Sequence, residues 1–396
     1  MTLPPTVPAP PPASDAPLPH RRALHVAAAI STYDRFVVIP LLVILATAFD
    51  RPVAELLVLA VGHQIAYGVG QPLWGALSDR FGRVRVIRFA LIAGALAAIG
   101  SAASVGVEML LVLRILAGGL FGAVVPTVMA YVADKAPAER RRSELSGLMR
   151  SIAVGTGSAT AVSGLIGQYV GWRAAFVVPA VLALGAAWAL RNVTPPATRN
   201  VVSLRQSLPG LRKPAVLLVL ALVLVEGALV LGGLQLLPTA LQDTGRGAAL
   251  SGLVAALFGV AVVLVAGIVS RLGSHVPLST TATIGAVALF LAGVVLTMTI
   301  STLTVAIAAV LLAVTWAFLH NALQTWVSEI DVPGRGLVVS CFAGCLFLGS
   351  ALGAWLAQGL VETGEWRLLF AVGAVASAVL GLVTVACRLR VEAKAR

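Results

Sequence analysis

Residues 75–85, GALSDRFGRVR, separate two long apolar stretches, and this arrangement decides the fold class. The stretch before it, 54–77, and the one after it, 86–104, each hold about the 20 residues that an α-helix needs to cross a hydrocarbon core. The segment between them carries four charged side chains that favour water. We therefore interpret 54–104 as a helical hairpin that crosses a membrane twice.

The composition of the whole chain extends this interpretation. Of its 396 residues, 59% are hydrophobic and 11% are charged, and the mean hydropathy is +0.98. Soluble domains carry about 25% charged residues. The apolar runs show no alternation with a period of two, which a membrane β-barrel would require. The sequence predicts an all-α integral membrane protein.

Apolar runs separated by charged or Pro/Gly-rich breaks predict twelve membrane-spanning helices. The predicted spans are 24–49, 54–77, 86–104, 108–132, 145–167, 173–190, 215–240, 248–269, 277–300, 303–327, 337–361 and 366–387. They divide the chain into a disordered Pro-rich tail (1–22), an N-terminal six-helix bundle (23–190), a linker (191–214), a C-terminal six-helix bundle (215–387) and a C-terminal tail (388–396).

An internal repeat supports the division into halves. The pattern W-R-x-x-F at 172–176 recurs at 366–370, an offset of 194 residues. Because six helices per half is an even number, both halves have the same orientation and are related by an axis along the membrane normal. A pathway is expected between them near the midplane.

The positions of Lys and Arg predict the orientation. Of the 28 basic residues, 21 lie on the side that holds both termini and the linker, four lie on the other side and three lie within spans. The positive-inside rule places both termini and the linker in the cytoplasm, in a multi-pass protein of the plasma (inner) membrane. This distribution accounts for the net charge of +12 without nucleic acid. The expected partners are lipid, protons and a small-molecule substrate, and the chain is expected to be a monomer.

Several motifs carry a family resemblance. Residues 75–83 resemble the G-x-L-A/S-D-R-x-G-R signature of the major facilitator superfamily, at the position between the second and third spans where that family has it. Leu110-x-x-x-Arg114-x-x-Ala117-Gly118 is similar to the L-x-x-x-R-x-x-Q-G pattern of the fourth span. Residues 171–176 resemble the segment that opens the sixth span in the drug-exporter branches. The resemblance implies the major facilitator fold and proton-coupled efflux of a small hydrophobic or amphiphilic compound.

Other functions stay open. Residues 159–164, ATAVSG, stand where exporters usually carry G-P-x-x-G-G, which favours an uptake symporter or facilitator for a small metabolite as the alternative. A third hypothesis is a non-transporting lipid scramblase or membrane-embedded binding protein, against which the intramembrane charges argue. No spacing of Ser/His/Asp, Cys/His or metal ligands indicates an enzyme, a metal site or a cofactor, so the proton gradient is the expected energy source.

Ionisable residues within spans are costly and therefore mark candidate sites. Asp34 and Glu226 lie about ten residues into the first and seventh spans and are 192 residues apart, close to the repeat offset. We predict that both carboxylates face one cavity and carry proton coupling, with a static ion pair as the alternative. The full set of candidate coupling and substrate residues is Asp34, Glu226, Arg114, Arg35, His63 and His320. Candidate cavity-lining residues, for which simple packing is the alternative, are Tyr33, Tyr67, Gln71, Gln235, Trp316 and Gln324.

The loop of the first hairpin also predicts a conformational latch. Asp79 is expected to face the N-terminus of the eleventh span, near Gly336, when the cytoplasmic side is closed. Basic neighbours would add further ionic partners. The residues assigned to this latch are Gly75, Asp79, Arg80, Gly82, Arg83 and Arg140.

Overall fold

The computed structural model describes residues 20–193, 204–272, 276–332 and 334–395, and within these ranges every regular element is a helix. Twelve long helices dominate. In chain order they are α1 (Arg21–Phe49), α2 (Val53–Phe81), α3 (Arg83–Ala102), α4 (Val107–Lys135), α5 (Ala138–Tyr169), α6 (Trp172–Ala189), α7 (Pro214–Asp243), α8 (Ala248–Leu272), α9 (Leu278–Met298), α10 (Thr302–Glu329), α11 (Arg335–Leu356) and α12 (Trp366–Ala395). The all-α membrane fold is confirmed.

Eleven of these helices are long and apolar enough to cross a membrane by length and composition. The remaining one is α5, which is 32 residues long and rich in Gly, Ser and Thr. With twelve helices that run up and down in turn, the start of α1 and the end of α12 lie on one face of the bundle, which we call the terminal face, and we call the other the opposite face. Residues 1–19 of the predicted tail and 194–203 of the predicted linker lie outside the described residues.

Helices extend into both of the segments predicted as tails. Helix α1 already begins at Arg21, whose Nε lies 2.9 Å from a carboxylate oxygen of Glu144 on α5. Helix α12 continues to Ala395, so most of 388–396 is helical. Arg388 pairs with Glu392 one turn later at 3.1 Å, and Glu392 accepts a hydrogen bond from the hydroxyl of Ser279 on α9. These contacts stabilise the additional turns. The linker contains a short helix at Leu204–Leu211.

Four helices are interrupted near their middle. Helix α1 has a 3₁₀ turn at Ile39–Leu41, α4 is broken between Phe121 and Val124, and α7 and α10 contain π-turns at Ala228–Gly232 and Trp316–His320. They are the first and fourth helices of each half. Membrane proteins tolerate irregular backbone at this depth only where it is buried in protein or lines a cavity. The breaks therefore lie where the backbone is buried in protein or lines a cavity.

The two halves meet along α2 with α11 and along α5 with α8. On the second of these contacts, a Cβ on Gly252 would overlap the carbonyl oxygen of Thr160, and a Cβ on Gly164 would overlap that of Ala248. Small residues let the helix backbones touch, which is how helices associate without a hydrophobic driving force in lipid. The predicted role of 159–164 in close packing agrees with this geometry.

At the opposite face the halves are joined by polar contacts as well. The amide of Gln242 on α7 donates to the carbonyl oxygen of Pro40 on α1 at 3.2 Å. The amide oxygen of Gln168 on α5 accepts from the backbone N–H of Ala249 on α8 at 2.8 Å. These contacts hold the two halves together at the opposite face in this conformation.

Candidate functional site

Asp34 is the centre of a buried ion pair in the N-terminal half. Asp34 is fully buried. It lies three residues before Val37, where the short break in α1 starts. Arg114 on α4 donates to both of its carboxylate oxygens, at 2.9 and 3.0 Å, and also to its backbone carbonyl at 2.6 Å. Such a two-pronged guanidinium–carboxylate contact is the strongest common form of an ion pair. Arg114, rather than the adjacent Arg35, is the partner of Asp34.

His63 on α2 completes this cluster. Its Nε2 lies 3.1 Å from a carboxylate oxygen of Asp34, so this nitrogen donates to the carboxylate. Its Nδ1 is buried and has no hydrogen-bond partner in the described part of the chain. With Arg114 already balancing Asp34, a neutral His63 needs no further counter-charge.

The C-terminal half contains a second carboxylate–histidine pair. Glu226 on α7 lies two residues before the π-turn and is fully buried, and its Oε2 lies 3.2 Å from Nδ1 of His320 on α10. His320 ends the π-turn of α10 and stacks on Trp316 with ring centroids 4.0 Å apart. The second oxygen of Glu226, Oε1, has no partner among the described residues. No guanidinium contacts this carboxylate there, in contrast to Asp34.

Each carboxylate is hydrogen-bonded within its own half. The two clusters occupy corresponding broken helices, since α1 and α7 carry the acids while α4 and α10 carry Arg114 and His320. The sequence predicted the corresponding depth of the acids, but it assigned no basic partner to Glu226. His320 is 94 residues away in the chain, and no local pattern connects the two.

Arg35 lies at the junction of the halves. It is 8% exposed, and its guanidinium carbon lies 4.8 Å from the ring centroid of Phe36, 5.4 Å from that of Tyr67 and 4.8 Å from that of Phe347 on α11. The phenol of Tyr67 is hydrogen-bonded to Ser31 at 3.1 Å. Phe347 was not among the sequence candidates, since a Phe in a span carries no polar signal.

The other predicted lining residues are spread over both halves. Tyr33 has a buried hydroxyl without a partner in the described ranges, and Gln71 donates to the carbonyl of Gly122 at the break in α4. Gln235 donates to the hydroxyl of Ser350 on α11 at 2.5 Å, and its Oε1 is unpartnered among those residues. Gln324 is partly buried on α10, beyond the π-turn. Amide and phenol groups thus lie near the four breaks.

The latch residues form a charged cluster at the terminal face. Arg83 Nη2 lies 3.3 Å from Asp79 and 2.9 Å from Asp134 at the end of α4. Gly82 has φ 91°, a left-handed backbone that favours glycine, and lets α3 start directly after α2. Arg80 lies over the ring of Phe81 at 5.4 Å. Asp134 was not among the latch residues predicted from the sequence.

The predicted contact between Asp79 and the N-terminus of α11 is not present in this conformation. Asp79 pairs with Arg83 and keeps 46% of its side chain exposed. Gly336 has open space beside it. A Cβ on Gly75 would lie 3.7 Å from the hydroxyl of Ser340 on α11. Arg140 lies in the first turn of α5.

A separate apolar pocket lies among helices of the C-terminal half. Its volume is about 340 Å³, and residues of α7, α9, α10, α11 and α12 line it. Among them are Leu229, Leu289, Leu312, Leu356 and Phe370. Sequence reasoning did not predict it, because the shape of the space between helices depends on how their faces meet.

Twelve helices, two quasi-equivalent halves and buried charge clusters on broken helices define a polytopic membrane protein with a central polar site. The family model of the Major Facilitator Superfamily matches residues 24–332 and again 237–396. The chain belongs to this superfamily.

Curated relatives match parts of the chain. The multi-drug resistance efflux pump PmrA of Streptococcus pneumoniae is 27% identical over 223 residues, which cover 54% of this chain and 55% of PmrA. A triacylglyceride transporter of Mycolicibacterium hassiacum is 28% identical over 158 residues, 38% of this chain and 28% of that protein. The chain thus spans between about a quarter and about half of the length of these relatives.

Solved structures share the fold. The nucleoside transporter NupG superimposes with a TM-score of 0.76 at 14% identity, over 92% of this chain and 99% of that one. A D-xylose-proton symporter superimposes with a TM-score of 0.74 at 16% identity, over 91% and 95%. At these identities the likeness shows the fold alone.

Proposed function

We propose that this protein is a secondary active transporter that exports small hydrophobic or amphiphilic organic compounds by alternating access, in exchange for protons. The observation that carries the proposal is the presence in each half of one fully buried carboxylate bonded to a histidine, Asp34 with His63 and Glu226 with His320. Carboxylates at this depth are costly and are retained where they bind protons, ions or substrate.

Exchange requires that proton and substrate prefer different states of the transporter. A buried acid whose partner is also titratable can change its charge without leaving a permanent ion in lipid. Glu226 with His320 meets this requirement most directly, since no guanidinium contacts either group within the described residues. Asp34 is balanced by the permanent charge of Arg114, which makes it the more static of the two carboxylates.

The terminal face is the cytoplasmic one in this proposal, and the membrane is the plasma (inner) membrane. The distribution of basic residues, 21 against four, supports this orientation. The conformation described here is then closed to the outside, through Gln242 with Pro40 and Gln168 with Ala249. Protons and substrate would enter the site from the cytoplasmic side, and the proton gradient would be the energy source without a cofactor. We propose that a monomer is sufficient.

Two kinds of relative support the cargo and direction. PmrA is named as a multi-drug efflux pump, and three relatives are named as triacylglyceride transporters. Both names favour apolar cargo. The stretch 159–164 lacks the Gly-Pro element of exporters and packs closely against α8, which keeps proton-coupled uptake as the second candidate.

Proteoliposomes with an imposed pH gradient test the proposal. The purified protein should move a lipophilic test compound against its gradient only while protons flow the other way. Compound added on one side should therefore draw protons out of the opposite compartment and raise the pH there. Proton and compound moving together would establish uptake symport instead. Flux without any link to pH would reject proton coupling.

Fusion reporters test the orientation. A reporter placed after Asp243, at the end of α7, should report the outside, and one placed within 198–208 should report the cytoplasm. The charge count is the physical reason. If both fusions reported the same side, the six-plus-six arrangement in the membrane would be wrong.

Asp79→Asn tests the latch. The variant should bind substrate normally and transport slowly, because the attraction between Asp79 and the N-terminus of α11 would no longer favour the state closed at the terminal face. The expected shift between states is about 2- to 30-fold, from about 0.3–2 kcal/mol. In a Cys387→Ser background, half-buried Cys341 on α11 should react faster with a water-soluble maleimide.

The matched control for the latch is Asp50→Asn, which removes an exposed carboxylate at the opposite face. Transport by the control should remain at the wild-type rate. Normal transport and unchanged Cys341 reactivity in Asp79→Asn would reject the latch.

A further inference from the structure

We propose that Arg35 and the aromatic rings around it bind the anionic group of the cargo, so that the substrates are organic anions with an aromatic or apolar body. The inference rests on the proposed transport function and narrows its substrate class. The ring set consists of Phe36, Tyr67 and Phe347, and we call it, together with Arg35, the arginine–aromatic site.

The site is shared by the two halves. Arg35 and Phe36 belong to α1 and Tyr67 to α2, whereas Phe347 belongs to α11 of the other half. Tyr67 and Phe347 meet edge to face with ring centroids 4.7 Å apart. Alternating access moves the halves relative to each other, so a ligand at this junction experiences the change of state directly.

Arg35 lacks a counter-ion. It is 92% buried, yet no carboxylate of the described residues forms an ion pair with it, and its Nε has no hydrogen-bond partner among them. A buried charge is costly unless it is paired and hydrogen-bonded. The three rings attract the cation through their negative faces but do not neutralise it. An anionic ligand would supply both the charge and the acceptors.

The buried acids do not fill this role. The carboxylate of Asp34 is held by Arg114 and His63, and that of Glu226 is bonded to His320. The cluster around Asp34 is therefore balanced without Arg35, and the guanidinium of Arg35 remains as an uncompensated positive charge at the junction. This charge disfavours organic cations and favours anions.

A second feature points to a ligand with polar atoms. Gln64 lies one turn before Tyr67 on α2 and is 1% exposed, and neither its amide nitrogen nor its amide oxygen has a partner in the described ranges. Buried amides without partners are uncommon in proteins. A carboxylate suits the site best, because the planar guanidinium can donate two parallel hydrogen bonds to it, while the aromatic rings accept an apolar or aromatic body.

An anionic cargo also agrees with export energetics. One-for-one exchange of an outgoing monoanion for an incoming proton moves two positive charge equivalents inward. Both movements follow an inside-negative membrane potential. Export should therefore be faster when that potential is raised at constant pH.

Binding measurements test the site. We would use the full chain in phosphatidylcholine nanodiscs and titrate 4-butylbenzoate, 4-butylbenzylammonium and neutral 4-butylbenzyl alcohol by calorimetry. The wild type should bind the anion at least about tenfold more tightly than the cation. Arg35→Gln should weaken binding of the anion by about 10- to 100-fold and leave binding of the alcohol nearly unchanged, because only the charge-assisted hydrogen bonds are lost.

Two further variants keep the result interpretable. Arg246→Gln removes an exposed guanidinium beyond the end of α7 and should leave all three affinities unchanged. Phe347→Leu removes one ring and should weaken the anion and the alcohol alike, by about 2- to 10-fold. It tests the aromatic part of the site even if Arg35→Gln fails to fold.

Three results would overturn the inference. The first is anion binding by folded Arg35→Gln within about twofold of wild type. The second is the absence of saturable anion binding to wild type up to about millimolar concentration. The third concerns phosphatidylglycerol added to the nanodiscs. If this anionic lipid competes with the anion and removes the whole difference in affinity between wild type and Arg35→Gln, the site binds a lipid headgroup rather than cargo.

The inference and the proposed function fail separately. Arg35-dependent anion binding without proton-linked flux in proteoliposomes would reject proton-coupled export and leave the anion site standing. Proton-driven export of cations at an unchanged rate in Arg35→Gln would reject the anion site and leave the transport function standing.

Discussion

Replacement of Arg114 by leucine is expected to destabilise the protein by about 3–5 kcal/mol and to abolish transport. The guanidinium makes three hydrogen bonds to Asp34, and both side chains are fully buried. Removing it leaves a carboxylate in a low-dielectric interior with only His63 as a partner. The apparent melting temperature in detergent and the rate of export in proteoliposomes measure the two effects.

A second substitution separates charge from packing. Asp34→Asn added to Arg114→Leu removes the uncompensated charge, so the double variant should recover much of the lost stability while remaining unable to transport normally. Arg367→Leu, which removes an exposed guanidinium at the start of α12, should change stability little. An Arg114→Leu protein as stable as the wild type would show that the buried pair does not hold α1 and α4 together.

The number and order of the helices could be predicted from the sequence because membrane depth fixes span length. Loops such as 75–85 mark the ends of spans with charge, and the basic residues give the orientation that the proposal uses. Helix α5 is the instructive case. Its Gly, Ser and Thr residues lower its hydropathy. Gly164 and its neighbours pack closely against α8, and no local sequence pattern identifies α8 as the partner.

The carboxylates of the site could be predicted, but their partners largely could not. Glu226 and Asp34 stand out because acids within spans are rare. Their hydrogen bonds depend on which faces of distant helices converge. The π-turns at Ala228–Gly232 and Trp316–His320 change the directions in which side chains point around α7 and α10. Each π-turn inserts about one residue into the helical repeat, which rotates all later side chains by roughly 100° relative to a regular helix. A prediction that assumes a regular helix of 3.6 residues per turn therefore misplaces His320 relative to Glu226.

The same reasoning applies to Arg35. In the sequence, Arg35 is one of several charged residues within spans and directly follows Asp34. Their side chains point in different directions because neighbouring helix positions differ by about 100°. The sequence did not indicate the contact of Arg35 with Phe347, because Phe347 lies 312 positions later and belongs to the other half. A site divided between two bundles becomes visible only when both bundles are placed.

Glu226→Gln is expected to abolish proton-driven export while preserving the fold and substrate binding. The amide keeps the shape of the side chain and can still bond to His320, but it can no longer change charge. Coupling between a proton and a substrate is typically worth 5- to 150-fold in affinity, so export against a gradient should fall by about this factor, whereas downhill exchange of substrate should continue.

The pH dependence of binding shows which kind of coupling Glu226 carries. In an exchanger the proton opposes substrate, so wild-type affinity for a neutral probe should rise as the pH rises, and Glu226→Gln should resemble the protonated wild type at every pH. An opposite slope in the wild type would indicate symport. His320→Gln removes the titratable partner and should shift the pH at which the wild-type transition occurs, while Thr325→Ala, at an exposed position farther along α10, should leave it in place. If Glu226→Gln still expels substrate under a pH gradient at the wild-type rate, the coupling proton lies elsewhere, and Asp34 with His63 becomes the next pair to replace.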